Sequence, residues 1–376
     1  MNNKIITFLL LVASFASCST STEVAELKKE KVLNTLVLTN KYFMDKWTDT
    51  GKTIITNKER PSNIWTRAVY YEGLMDLYKL TGDNQYLDYA ISWGNSHNWG
   101  LAGHGVIGRH ADYHACGQTY IELYNIDSSD SIRIRDIKSS IDLMMATDKI
   151  DDWNWIDALQ MAMPIFEQLT MLTGDTSYSE RAYAMYCDTK DRQGLWNEED
   201  DLWWRDADFL PPYKEPNGED CYWARGNGWV IATYCRVLTI NENNLHAEEY
   251  KGTLLKMLNA LAKVQREDGF WNVSLHDPSN YGGKEVSGTA LFIYGMAWAE
   301  NHGLVEKGTY TENIKKAWNA IATEAVHESG FIGYMQGTGK EPKDGQPVTY
   351  TSMPDFEDYG LGCVLMAGCE IYKMAN

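Results

Sequence analysis

The chain has 376 residues, 44% hydrophobic and 23% charged, enough for one large core or two ordinary domains. Its 52 acidic against 34 basic residues leave a formal charge of −18. That excludes nucleic acid, which needs a basic face, and disfavours long polyanions, but not short acidic oligomers held by a local arginine.

In chain order, residues 1–18 read as a lipoprotein-type signal peptide. Lys4 supplies the positive start, and "IITFLLLVASFA" is an apolar stretch too short to span a membrane comfortably. Cys18 follows Ala16-Ser17 in a pattern that resembles a bacterial lipobox, which predicts lipidation at Cys18 and a tether over 19–35. The expected location is outside the cytoplasm, lipid-anchored in a bacterial envelope membrane. Residues 36–376 contain no Pro/Ser-rich linker and read as one domain.

Helical periodicity dominates that domain. "AVYYEGLMDLYKL", "QTYIELYNI", "ALQMAMPIFEQLTML", "GWVIATYCRVLTI", "YKGTLLKMLNALAKVQ", "GTALFIYGMAWAENHGL" and "YTENIKKAWNAIATEAV" place apolar residues at 3.6-residue spacing. An internal repeat runs through them: "LYKLTGDNQYLDYA" returns as "LTMLTGDTSYSERA", with Thr81 and Thr173 offset by 92 residues. In each copy Gly suits the end of one helix and Asp the start of the next. Half the offset, about 45 residues, is the length of a helical hairpin. No amphipathic capping repeat stands out, so a closed ring fits better than an open solenoid. The predicted fold is therefore all-α, an (α/α)6 barrel built as a toroid of hairpins.

Three loops rich in aromatics, glycine and charge interrupt the helices: "SWGNSHNWGLAGHGVIGRHADYHACGQ", "LWNEEDDLWWRDADFLPPYKEPNGEDCYWARGNGW" and "GYMQGTGKEPKDGQPVTYTSMPDFEDYG". In a toroid they are expected around one mouth, where function concentrates. Asp112 and Asp157 both enter helices there. A carboxylate at a helix start is ordinarily explained by the dipole; amid tryptophans it is also a candidate acid in a cleft. "YWARGNGWV" adds Trp223, Arg225, Asn227 and Trp229 as candidate sugar contacts: a planar cation suits a carboxylate, an indole suits a sugar face, and the glycines either side of Asn227 allow backbone to approach a ligand closely. The ordinary alternative is a structural turn leading into the helix. With 14 Trp and 23 Tyr, a carbohydrate ligand and an aromatic helical core account for the composition equally well.

No metal or cofactor is implied. The six cysteines after Cys18 are scattered, without CxxC or zinc spacing, and read mostly as buried thiols. His97, His104, His110 and His114 share a loop, but their spacing suits hydrogen bonding or a sugar subsite better than a closed zinc site.

Taken together, "NIWTRAVYYEGLMDLYKLTGD", "HADYHACGQTYIELY", "DALQMAMPIFEQLTMLTGD", "PNGEDCYWARGNGWV", "QREDGFW" and "KEVSGTALFIYGMAWAENHGL" resemble glycoside hydrolase families 88 and 105, the second more closely. These are unsaturated glucuronyl and rhamnogalacturonyl hydrolases with an (α/α)6 barrel. The resemblance runs from about Trp65 to "DYGLGCVLMAG", nearly the whole mature chain. It implies that Asp157 is the general acid/base, its pKa raised by tryptophans and a neighbouring carboxylate, and that Asp112 assists it. It also implies that Arg225 and Trp229 hold the unsaturated sugar near Trp65. Where such enzymes often carry a histidine, "LWWRDADF" has Arg205 and Asp206. Arg205 with Lys214 is thus expected to meet a sulfate, unless Arg205 pairs with Asp206 or Asp208.

The implied partner is a lyase-generated oligosaccharide ending in a 4,5-unsaturated uronic acid. The implied reaction is hydration of the C4=C5 vinyl ether, acting from the chain end, with ulvan-type substrates favoured over rhamnogalacturonan. Two readings compete: a non-catalytic glycan-binding surface lipoprotein, and a conventional (α/α)6 glycosidase using Asp152.

Overall fold

A computed structural model of the chain describes residues 25–55, 59–352 and 358–376. The expected signal peptide, Cys18 and the first part of the expected tether lie outside the described residues. The rest of that tether does not stay a tether: α1 (Lys29–Lys46) begins within it and buries Val32 and Leu36. An apolar stripe running back from residue 36 makes the helix start earlier than composition suggested.

The chain continues through α2 (Trp65–Thr81), α3 (Asn84–Ser96), the single turn α4 (Ala111–His114) and α5 (Cys116–Ile126). Then come α6 (Ile132–Met145), α7 (Asp157–Thr173), α8 (Ser177–Cys187) and α9 (Ala224–Ile240). The last four are α10 (Ala247–Lys263), α11 (Val286–Asn301), α12 (Thr311–Ala320) and α13 (Asp358–Met374). Helices α2, α5, α7, α9, α11 and α13 pack each on the next, and α13 packs back on α2, so they close a ring. Each inner helix is backed by one of α3, α6, α8, α10, α12 and α1. The result is the expected (α/α)6 barrel.

Composition decides which helix goes where. Inner α11 is buried from Val286 to Glu300, as a helix that is apolar all round must be. Outer α12 buries only Ile314, Ala317, Trp318 and Ala320, one stripe. The repeat read from the sequence marks two inner-to-outer turns. Gly82 ends α2 at φ 68° and Gly174 ends α7 at φ 74°, left-handed conformations that favour glycine. Asp83 and Asp175 then accept hydrogen bonds from the N–H groups of Gln85 (3.0 Å) and Ser177 (2.9 Å). The ring closes where two glycines meet. A Cβ on Gly73 of α2 would lie 2.5 Å from the Gly362 carbonyl oxygen, and one on Gly362 of α13 would lie 2.3 Å from that of Val69.

The inner-to-outer turns are short, whereas the outer-to-inner connections are long. All six inner helices therefore begin at the mouth that the long connections surround, and the three loops singled out above are among them. Two short antiparallel hairpins decorate this end, Ile54–Ile55 with Glu59–Arg60 and Trp196–Asn197 with Leu202–Trp203.

Candidate active site

Asp157 is the first residue of α7 and is largely buried. Asp112 lies in α4, the turn that leads into α5, and is partly open to solvent. Each carboxylate thus sits at the positive end of a helix. His110 caps α4, its Nδ1 accepting the Asp112 N–H at 3.3 Å, and its ring lies 4.7 Å from that of Trp155. The loops carrying the two acids are thereby brought into contact.

A third loop supplies the cation. Arg205 donates from Nε to Asp157 Oδ2 at 3.0 Å and from a terminal nitrogen to Asp206 Oδ2 at 2.6 Å. Its backbone is tied to the same strand: the Ile156 N–H donates to the Arg205 carbonyl at 3.0 Å, and Trp155 pairs with Asp206. Lys340, from the loop before α13, donates to Asp208 at 2.5 Å. The expected alternative, that Arg205 pairs with Asp206 or Asp208, is met by Asp206. The main partner of Arg205, Asp157, lies far away in sequence. Lys214 donates to Asp220 at 2.8 Å. Arg205 is thus engaged by two carboxylates and mostly buried, whereas Lys214 is paired but stays exposed to solvent.

Electrostatics separates the carboxyls. Removal from water, then the charge of Asp157, raises Asp112 to about 7, against the opposing pull of Arg205 and Arg60. Asp112, which the sequence reading expected to assist Asp157, is thus a raised carboxyl in its own right. His110 is lowered by burial and by Arg205, which keeps it neutral at neutral pH. Asp152, the competing acid, is held below the usual range: burial pushes it up, but hydrogen bonds from Arg109 and Lys149 outweigh this. An engaged, ionised Asp152 is a poor proton donor.

The RGNGW segment is the first turns of inner helix α9, and its polar side chains are fully buried. Arg225 stacks between Trp223 (4.5 Å) and Tyr359 (5.0 Å) and donates to the carbonyls of Gln336 (3.1 Å) and Gly337 (2.8 Å). It pins the loop before α13 instead of facing the mouth as a uronate partner. Trp223 is buried too, donating to Gln336 Oε1 at 2.9 Å. Asn227 accepts from the Trp203 N–H (2.9 Å) and donates to the Trp203 carbonyl (3.0 Å), clamping the strand that leads to Arg205. The flanking glycines serve helix packing: a Cβ on Gly226 would lie 2.9 Å from Trp223 and one on Gly228 2.7 Å from Leu291. Trp229 is covered by the edge of Trp65, 6.2 Å between rings. Trp65 itself is half-buried and, of these residues, best retains a face for a sugar.

The histidines do not assemble. His97 bonds Ser62 at 2.7 Å, whereas His114 bonds the Gly108 carbonyl and Ser140. Among the described residues, no group of three His, Cys, Asp or Glu side chains is placed to hold a metal. The cysteines within the described residues are free thiols, five of the six buried. Sequence reasoning missed Gln336, whose amide meets Arg225, Trp223 and three carbonyls of its own loop. "YMQGTGK" carries no signal for it. A cavity of about 500 Å³ opens at the opposite end of the ring, lined by Asp76, Lys79, Glu122, Gln168, Arg236 and Lys373, and shares nothing with these acids.

Comparison with known proteins agrees with this fold. The chain is 29% identical over 330 residues to an unsaturated 3S-rhamnoglycuronyl hydrolase of Formosa agariphila, covering 82% of this chain and 84% of that one. It is 30% identical over 338 residues to an enzyme of the same name from Alteromonas sp., covering 84% and 78%. A solved structure described as glycosyl hydrolase family 88 from Bacteroides vulgatus superposes with a TM-score of 0.84 at 31% identity, covering 92% of this chain and 99% of that one. The family model Glycosyl Hydrolase Family 88 matches residues 36–375, and the chain belongs to that family of glycoside hydrolases.

Proposed function

We propose that this glycoside hydrolase removes a 4,5-unsaturated uronic acid from the non-reducing end of rhamnose-containing oligosaccharides released by polysaccharide lyases. The observation that carries the reading is the pair Asp112 and Asp157 at one mouth, the first raised to about 7 and the second held by Arg205. A carboxyl raised to about 7 beside a second carboxyl that a guanidinium orients suits acid-assisted addition of water. The names of the two relatives supply the substrate class.

In this mechanism Asp112 gives its proton to C4 of the vinyl ether, and positive charge develops across C5 and O5. Asp157 takes a proton from water as the water oxygen bonds to C5. The resulting hemiketal opens by cleavage of C5–O5, leaving a ketone at C5 and a hemiacetal at C1. Loss of the aglycone alcohol from C1 then yields the aldehyde. One water is consumed, and the acid and base have exchanged roles.

The rhamnoglycuronyl substrate of the relatives favours an ulvan-type product over rhamnogalacturonan. The Cys18 reading adds a lipid anchor at the cell envelope, testable by comparing wild type and Cys18→Ser between membrane and soluble fractions. The deciding assay presents defined lyase products of ulvan and of rhamnogalacturonan side by side. Turnover must erase the ultraviolet absorbance of the conjugated double bond and release one aglycone for each double bond lost. A gain of that absorbance would mark elimination instead, and cleavage of saturated polymer without any change would reject the proposal.

A further inference from the structure

We infer that Arg205 is a positioning residue: it grips Asp157 by one oxygen, Oδ2, and leaves Oδ1 for the substrate water. This rests on the proposed function for what the site does and on geometry for what Arg205 does.

Three attachments make the grip specific. The guanidinium reaches Asp157 through Nε (3.0 Å) and Asp206 through a terminal nitrogen (2.6 Å), so its plane is fixed at two points. The Arg205 carbonyl receives the N–H of Ile156, the residue beside Asp157, so donor and acceptor loops move together. Two residues before Arg205, Trp203 is clamped by the amide of Asn227 on α9. No described residue donates to Asp157 Oδ1, and the side chain keeps only 11% of its surface exposed. A lysine would match the charge but not the planar fork. Arg205 cannot turn toward a sulfated aglycone without releasing Asp157, so here it acts through the carboxylate and not as a subsite.

The same cation faces Asp112. The charged or titratable groups around that carboxyl are Asp157, Arg205, Arg60 and His110. Arg205 works against the effect of Asp157 on it, so removing the guanidinium raises the titration of Asp112 further. A residue that merely packed would not move it in that direction.

The test uses full-length wild type, Arg205→Ala and Arg205→Lys on the unsaturated disaccharide that wild type turns over best. Misplacing a reacting group by about 1 Å can cost about 10²-fold. Both variants should lose kcat on that scale while KM stays within about threefold, the pattern of an interaction used in the transition state. Added guanidinium ion should restore part of the Arg205→Ala rate and leave Asp157→Asn unchanged. Carbon-13 NMR of aspartate-labelled protein, with Asp112→Asn to assign the signal, should show Asp112 titrating higher in Arg205→Ala than in wild type. A rise in KM with kcat retained would overturn the inference and make Arg205 a substrate contact. So would a loss of kcat that guanidinium does not touch, with the Asp112 titration unmoved. If wild type were idle on every unsaturated substrate, the proposed function would fail, and the NMR titration would still judge Arg205.

Discussion

Asn227→Ala separates a clamp from a sugar contact. The side chain is fully buried, accepts one hydrogen bond from Trp203 and donates two, to the carbonyls of Trp203 and Trp223. At about 1 kcal/mol net for each neutral bond, the truncation costs about 3 kcal/mol, more where the stranded backbone groups stay dry. The loss is also directed, because the freed strand leads within two residues to Arg205. Urea denaturation should show the stability change with an unaltered m-value. Steady-state kinetics on the folded variant should show kcat reduced about tenfold or more with KM little changed, since Asp157 loses its fixed orientation. Two results would refute this reasoning. A variant that is destabilised but turns over within twofold of wild type would mean that the clamp does not reach Arg205. A large rise in KM at constant kcat would restore Asn227 to the sugar-binding role expected from the sequence.

With Asp112 as the donor, kcat should fall as pH rises through about 7, and Asp112→Asn should abolish most turnover at every pH in a pH–rate profile. The linked stability has an unusual sign. This carboxyl is raised in the fold, so the folded state holds an extra proton between about 4 and 7, and stability falls as pH climbs through that window. Asp112→Asn should therefore melt higher relative to wild type at pH 8 than at pH 4 (the two ends of the range, by about one unit) in thermal denaturation. Asp157→Asn should reduce kcat by about 10²- to 10⁴-fold, as loss of acid–base assistance does, with binding measured by calorimetry largely preserved. Gly362→Ala should lower the urea midpoint by the equivalent of about 1–3 kcal/mol, because the new methyl meets backbone of α2 that cannot rotate away.

The barrel was legible because its evidence is local and repeated. Each Thr-Gly-Asp turn records the end of one helix and the start of another, and two copies set the hairpin length. Asp112 and Asp157 were legible for a related reason, since both precede apolar helices and inner helices share a mouth. RGNGW misled because a glycine that admits a ligand and a glycine that admits Leu291 look alike in sequence. Burial of Arg225 between Trp223 and Tyr359 is decided by a residue more than a hundred positions away. The partner of Arg205 was hidden in the same manner: Asp206 and Asp208 lie beside it, whereas Asp157 comes from the preceding inner helix. The expected tether failed at its far end because Val32 belongs to the pattern of a helix that had already begun.

The meeting of Gly73 with Gly362 bears on how the molecule is made as well as on how it is packed. The contact joins the second helix to the last, so neither finds its neighbour until nearly the whole chain is present. Contacts of such separation slow folding, and the helices synthesised in between wait with apolar surface uncovered. A chain stalled before α13 would hold five inner helices in an open arc, with one flank of α2 and one of α11 exposed. Those flanks are matched to α13, and an α13 from another copy fits them as well. Slow refolding, concentration-dependent aggregation from denaturant and intolerance of any truncation into α13 are the costs of a ring that has one seam.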